Sequence, residues 1–114
     1  MASSGLDGPY PLSNSKIDSV VTKTSAGAYA LGKTQDSTFH ISYVGRSDDD
    51  INGRLHDWVG KYAEFKFGYF PTAKGAYEKE CRLWHDFGGP NGSLDNKVHP
   101  SKSALSWACP VCGV

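Results

Sequence analysis

The chain has 114 residues, with 12 basic and 12 acidic side chains that bring its formal charge to zero. That length accommodates one core but no separate recognition module, and a neutral total removes the surplus of Lys and Arg that tight autonomous binding to a long nucleic-acid tract requires. No apolar run reaches spanning length and no charged-then-apolar leader opens the chain, so the expectation is a soluble, cytoplasmic protein with no membrane partner.

Residues 1–14, rich in Ser, Gly and Pro, read as a flexible N-terminal arm, and 15–114 as a single domain. Ser15 caps a short helix carrying Ile17, Val20 and Val21. Residues 27–33 and 38–45 read as two strands around a polar connection, short enough for an antiparallel hairpin. The acidic run after Ser47 then opens a helix over 50–59, with Ile51, Leu55 and Val59 at helical spacing. Strict alternation from Tyr62 to Phe70 predicts a third, half-buried strand. Pro71 and Thr72 start a second helix, which runs to Phe87 and stops at Gly88-Gly89. A loop-rich tail follows, with Asn96, His99 and the pair Cys109 and Cys112.

On the second helix, Ala73, Ala76, Tyr77, Leu83, Trp84 and Phe87 form one apolar stripe at about 100° per residue, with Glu80 in its middle. A carboxylate in that position needs an ion pair, a hydrogen bond or a cation. It reads either as half of a structural salt bridge or as a ligand for Mg2+, which commonly takes one or two protein carboxylates. Arg54, at the border of the apolar stripe of the helix over 50–59, presents a planar fork suited to phosphoryl oxygens; its plainer role is an ion pair with Asp50 or Asp57. Arg46 is a second phosphate contact or a turn cap. Tyr29 and Tyr43, taken alone, are sheet-packing residues.

The signatures Gly27-Ala28-Tyr29 and Tyr43-Val44-Gly45, followed in order by Arg54, Glu80 and Asn96, resemble the GIY-YIG nuclease family over residues 27–96. The resemblance implies a DNA endonuclease that hydrolyses a phosphodiester with activated water and one Mg2+ or Mn2+ ion. It makes Tyr29 the general base, has Tyr43 and Arg46 favour its phenolate, sets Arg54 on the phosphate and Glu80 on the ion, and adds Asn96 as a structural hydrogen-bonding residue. Trp58 stands where the family often has His or Tyr, and Trp is neither acid, base nor acceptor. The second reading is a catalytically weakened member that binds nucleic acid or protein; a recruiting protein partner is compatible with either. A third is a zinc-stabilised interaction module.

Cys81 and His85 lie one helical turn apart, and Cys109 and Cys112 form a CxxC pair, together a ligand set for a structural Zn2+. His99 is the rival fourth ligand. A redox pair, a disulfide or unused thiols are the other readings of these cysteines. The expected fold is α+β: a three-stranded antiparallel sheet flanked by helices, with the tail over 97–114 stapled by zinc. Tyr29, Tyr43, Arg54 and Glu80 are expected to converge on one sheet face. Arg46 and Arg54, joined by Lys33 or Lys61, are expected to make the cleft locally positive.

Overall fold

The computed structural model describes residues 6–87, 94–95, 100 and 107–113. Its elements are strand β1 (Asp7–Pro11), helix α1 (Asn14–Val20), strands β2 (Gly27–Gln35) and β3 (Thr38–Ser47), helix α2 (Ile51–His56), strand β4 (Glu64–Tyr69) and helix α3 (Ala73–Asp86). The class is α+β as expected, but the antiparallel sheet has four strands in the order β1-β4-β2-β3. The extra strand comes from the segment read as an arm. Its Gly and Pro content hid a strand that gains its hydrogen bonds from the otherwise bare edge of β4. The cap of α1 is Ser13 rather than Ser15, its hydroxyl accepting from Lys16 N at 3.3 Å.

Strand β2 is the central strand, and its composition divides by face. Ala28 and Ala30 face one way with Gly32, while Tyr29 and Leu31 face the other. The small residues let α3 approach, so Ala30 and Val44 pack beneath Leu83 and Trp84. On the opposite face Tyr29, Leu31, Phe65 and Phe67 lie under Ile17 of α1 and Ile51 and Leu55 of α2. The result is a helix–sheet–helix sandwich with an apolar cluster on each face of the sheet.

Asp36 and Ser37 close the β2–β3 hairpin with positive φ at both positions, the backbone that a two-residue turn between right-twisted strands requires. The pairing shifts between Leu31 and Gly32, which pair with Tyr43 and Ile41, so Ser42 bulges from β3. Gly32 is needed there because a Cβ would collide with the His40 carbonyl. Helix α2 is shorter than its apolar spacing predicted: it ends at His56, and Val59 pairs with Tyr62 in an isolated bridge. Among the described residues, no helix is long and apolar enough to cross a membrane.

Candidate active site and metal cluster

A polar cleft of about 480 Å³ opens beside β3, lined by Tyr29, Tyr43, Gly45, Arg46, Ser47, Asp48, Asp49, Arg54, Trp58 and Glu80. Strand β3 is the edge of the sheet, and the cleft wraps around it. Tyr43 and Arg46 are three positions apart on the strand and therefore project to opposite faces. Tyr29, Tyr43, Trp58 and Arg54 enter from the α2 side, and Arg46 and Glu80 from the α3 side. The expected convergence on one face is thus corrected: the residues meet around an edge, from both faces.

Tyr29 is paired across the strands with Gly45, and its ring lies over that glycine. A Cβ at Gly45 would sit 2.5 Å from the Tyr29 hydroxyl oxygen, so the second signature's glycine makes the space that the first signature's tyrosine fills. The Trp58 indole N–H donates to that hydroxyl at 2.9 Å. The Trp58 ring also packs against Tyr43, with centroids 4.5 Å apart. Burial pushes the Tyr29 phenol well above its ordinary pKa; the Trp58 hydrogen bond and the charge of Arg54 oppose this, while Tyr43 and Glu80 add to it. Burial also raises Tyr43.

Glu80 is 9% exposed, as its place in the helix stripe requires. Its Oε1 accepts from Arg46 Nη1 at 2.7 Å, and Arg46 Nε donates to Asp48 Oδ1 at 2.8 Å. The salt-bridge reading of Glu80 is therefore realised, with Arg46 as the partner. Burial alone would depress the Arg46 guanidinium; its bonds to Glu80 and Asp48 outweigh this and hold it above its ordinary value. The guanidinium also lies over two rings, 5.1 Å from the Tyr77 centroid and 5.8 Å from that of Trp107. Arg54 is exposed at the cleft and, among the described residues, forms no ion pair with Asp50 or Asp57. His56 turns away, bonding Asn14 and Asp18 of α1 at 2.6 and 2.9 Å.

The cleft is not positive. Asp48, Asp49 and Glu80 bring three carboxylates against the two guanidiniums of Arg46 and Arg54, and neither Lys33 nor Lys61 lines it. In the sequence Asp48 and Asp49 read as a helix start, and their position directly after the second signature is the signal that places them at the cleft. Trp58, neither acid, base nor acceptor, acts there as a donor. Asn96 and His99 lie outside the described residues. The neighbouring Asp95 bonds its backbone N–H to the Ser42 carbonyl at 2.5 Å and accepts from the Tyr62 hydroxyl at 2.7 Å, beside the β3 bulge.

A second group forms between α3 and the C-terminal tail. One ligand atom each of His85, Cys109 and Cys112 lies within 4.8 Å of the others, an N/S/S set that could hold a metal ion. Tetrahedral ligands about 2.3 Å from a metal stand roughly 3.7 Å apart, so closure would take a small contraction. Cys81 is not in this group, a correction to the expected ligand set. It is fully buried in a cluster with Tyr77, Cys109 and Trp107. The Tyr77 hydroxyl donates to its sulfur and its own thiol faces Cys109, while burial, first of all, pushes that thiol up to about 12. No disulfide joins Cys81, Cys109 and Cys112. Among family models, curated proteins and solved structures, none matches this chain.

Proposed function

We propose that this protein is a metal-dependent nuclease of the GIY-YIG type that hydrolyses phosphodiester bonds in DNA. The observation that supports it is the meeting of Tyr29, Tyr43, Arg46, Arg54 and the buried Glu80 in one cleft. Each has a chemical role there. Arg54, exposed and without an ion pair among the described residues, meets the scissile phosphate with its planar donor fork. Tyr29 would take the proton of the attacking water only as the phenolate; Trp58 and Arg54 favour that form, but burial outweighs them and keeps the phenol neutral until a cation enters the cleft. Arg46 holds Glu80 in place through a charge-assisted hydrogen bond.

The acidic lining fits a divalent cation better than it fits bare phosphate. Glu80, with Asp48 and Asp49 nearby, offers the hard oxygen donors that Mg2+ or Mn2+ uses, with water filling the remaining positions. When bound, such an ion supplies the positive charge that the cleft lacks. Nicking should therefore depend strictly on the divalent ion, and DNA affinity should fall steeply with salt only when that ion is present. For the second group we propose structural Zn2+ on His85, Cys109 and Cys112, since thiolate and imidazole donors suit zinc. Three cysteines without a disulfide fit a reducing compartment such as the cytoplasm.

The Arg46–Glu80 pair favours a second reading, in which this residue pair is locked as structure and the cleft binds nucleic acid, or a protein recruiting it, without cutting. A nicking assay on supercoiled DNA with Mg2+ or Mn2+, run on the parent, Glu80→Gln and Tyr29→Phe, separates the two. Hydrolysis requires activity in the parent that falls at least ~100-fold in each variant. A parent that retains a labelled duplex but never nicks it leaves only the binding reading. No nicking and no retention removes both the nuclease and the nucleic-acid-binding readings.

A further inference from the structure

We propose that Trp107 is a positioning residue that carries metal occupancy at His85, Cys109 and Cys112 to Arg46 in the cleft. The inference rests on the zinc and nuclease readings above and adds a route between them. Tyr77 and Trp107 form one aromatic wall, with ring centroids 5.4 Å apart, and the Arg46 guanidinium lies over both rings. The two rings have different supports. Tyr77 belongs to α3 and is 1% exposed, so the helix fixes it. Trp107 comes from the tail, two residues before Cys109, and is held near α3 by the packing of Cys109 against Tyr77 and Cys81.

A metal bridging His85 of α3 to Cys109 and Cys112 would turn that packing into a covalent-strength clamp at the residue next but one to Trp107. Arg46 is the side chain through which the clamp reaches the cleft, because it also bonds Glu80 and Asp48, both lining residues. With the tail clamped, the ring shields the guanidinium and keeps it pointed at Glu80. With the tail loose, Arg46 loses one of two aromatic faces, and the carboxylate it holds loses its fixed position.

The test reads Arg46 directly. Only three arginines occur in the chain, so the Arg46 Nε–H is identified by NMR as the signal missing from Arg46→Lys. Its hydrogen-exchange rate is measured in zinc-loaded protein, after chelation and after zinc is restored. The expected result is exchange faster by at least about twofold, the effect of losing one cation–π contact, both after chelation and in zinc-loaded Trp107→Ala. Trp107→Phe should restore most of the protection, and chelation should add nothing further in Trp107→Ala. Cys112→Ser, at an exposed position, should reproduce chelation without disturbing the core. Exchange unmoved by chelation and by Trp107→Ala overturns the proposal, as does a chelation effect undiminished in Trp107→Ala or a protein that binds no zinc. If Arg46 responds as expected while no form nicks DNA, the coupling stands and the nuclease reading falls.

Discussion

At the scale of single residues, the cleft depends on two contacts, one electrostatic and one steric. The Arg46–Glu80 pair has only 11% of each side chain exposed, so removing either partner leaves a charge stranded in a low-dielectric setting. Arg46→Ala and Glu80→Ala should each cost about 3 kcal/mol in urea denaturation, and the double variant distinctly less than the sum, because both singles lose the same interaction. The Tyr29–Gly45 contact is steric. Gly45→Ala would set a methyl 2.5 Å from the phenol oxygen, forcing the ring off the Trp58 donor. A loss of about 1–3 kcal/mol is expected from overpacking, together with a change in indole fluorescence that Gly53→Ala, at a partly open position, should not reproduce.

At the scale of elements, the first strand changes what the N-terminal segment is for. Strand β1 covers the edge of β4, Leu12 anchors it with a backbone bond to Ala63 and is 7% exposed, and Tyr10 packs on Phe65 and Phe67. Deleting residues 1–12 should therefore destabilise the domain by at least ~2 kcal/mol, the loss expected from one buried leucine alone, and should promote self-association through the bared edge. Thermal melting and light scattering check both.

At the scale of the whole molecule, the burial of phenols sets the alkaline limit of stability. Tyr29, Tyr43 and Tyr62 are each raised by burial above the ordinary value, about 10. A raised value means that the folded state holds the proton more tightly than the unfolded chain. Stability from these groups is fully present below about pH 10 and is lost as pH rises from there through the folded values. Tyr29, which is 2% exposed, should alone contribute a slope approaching ~1.4 kcal/mol per pH unit above pH 10. Denaturant midpoints at pH 8, 10 and 11 should fall steeply only over the last interval, and less steeply in Tyr29→Phe.

Local pattern determined much of this protein. The alternation of β4, the hairpin of β2 and β3, the Thr72-capped helix and the inward aim of Glu80 all follow from periodicity and caps that neighbouring residues impose on one another. The order of the two signatures, Arg54 and Glu80 was likewise enough to mark the residues that the cleft brings together. What only the tertiary structure decided are pairings between distant segments. β1 becomes a strand because β4 offers an unpaired edge, and Arg46 turns to Glu80 because α3 covers the face opposite Tyr43. Cys81 leaves the metal group because its place on α3 is sealed by Tyr77 and the tail. Residue spacing specifies direction along one helix or strand, but the partner on the other side is chosen by the packing of whole elements, and no single segment encodes that choice.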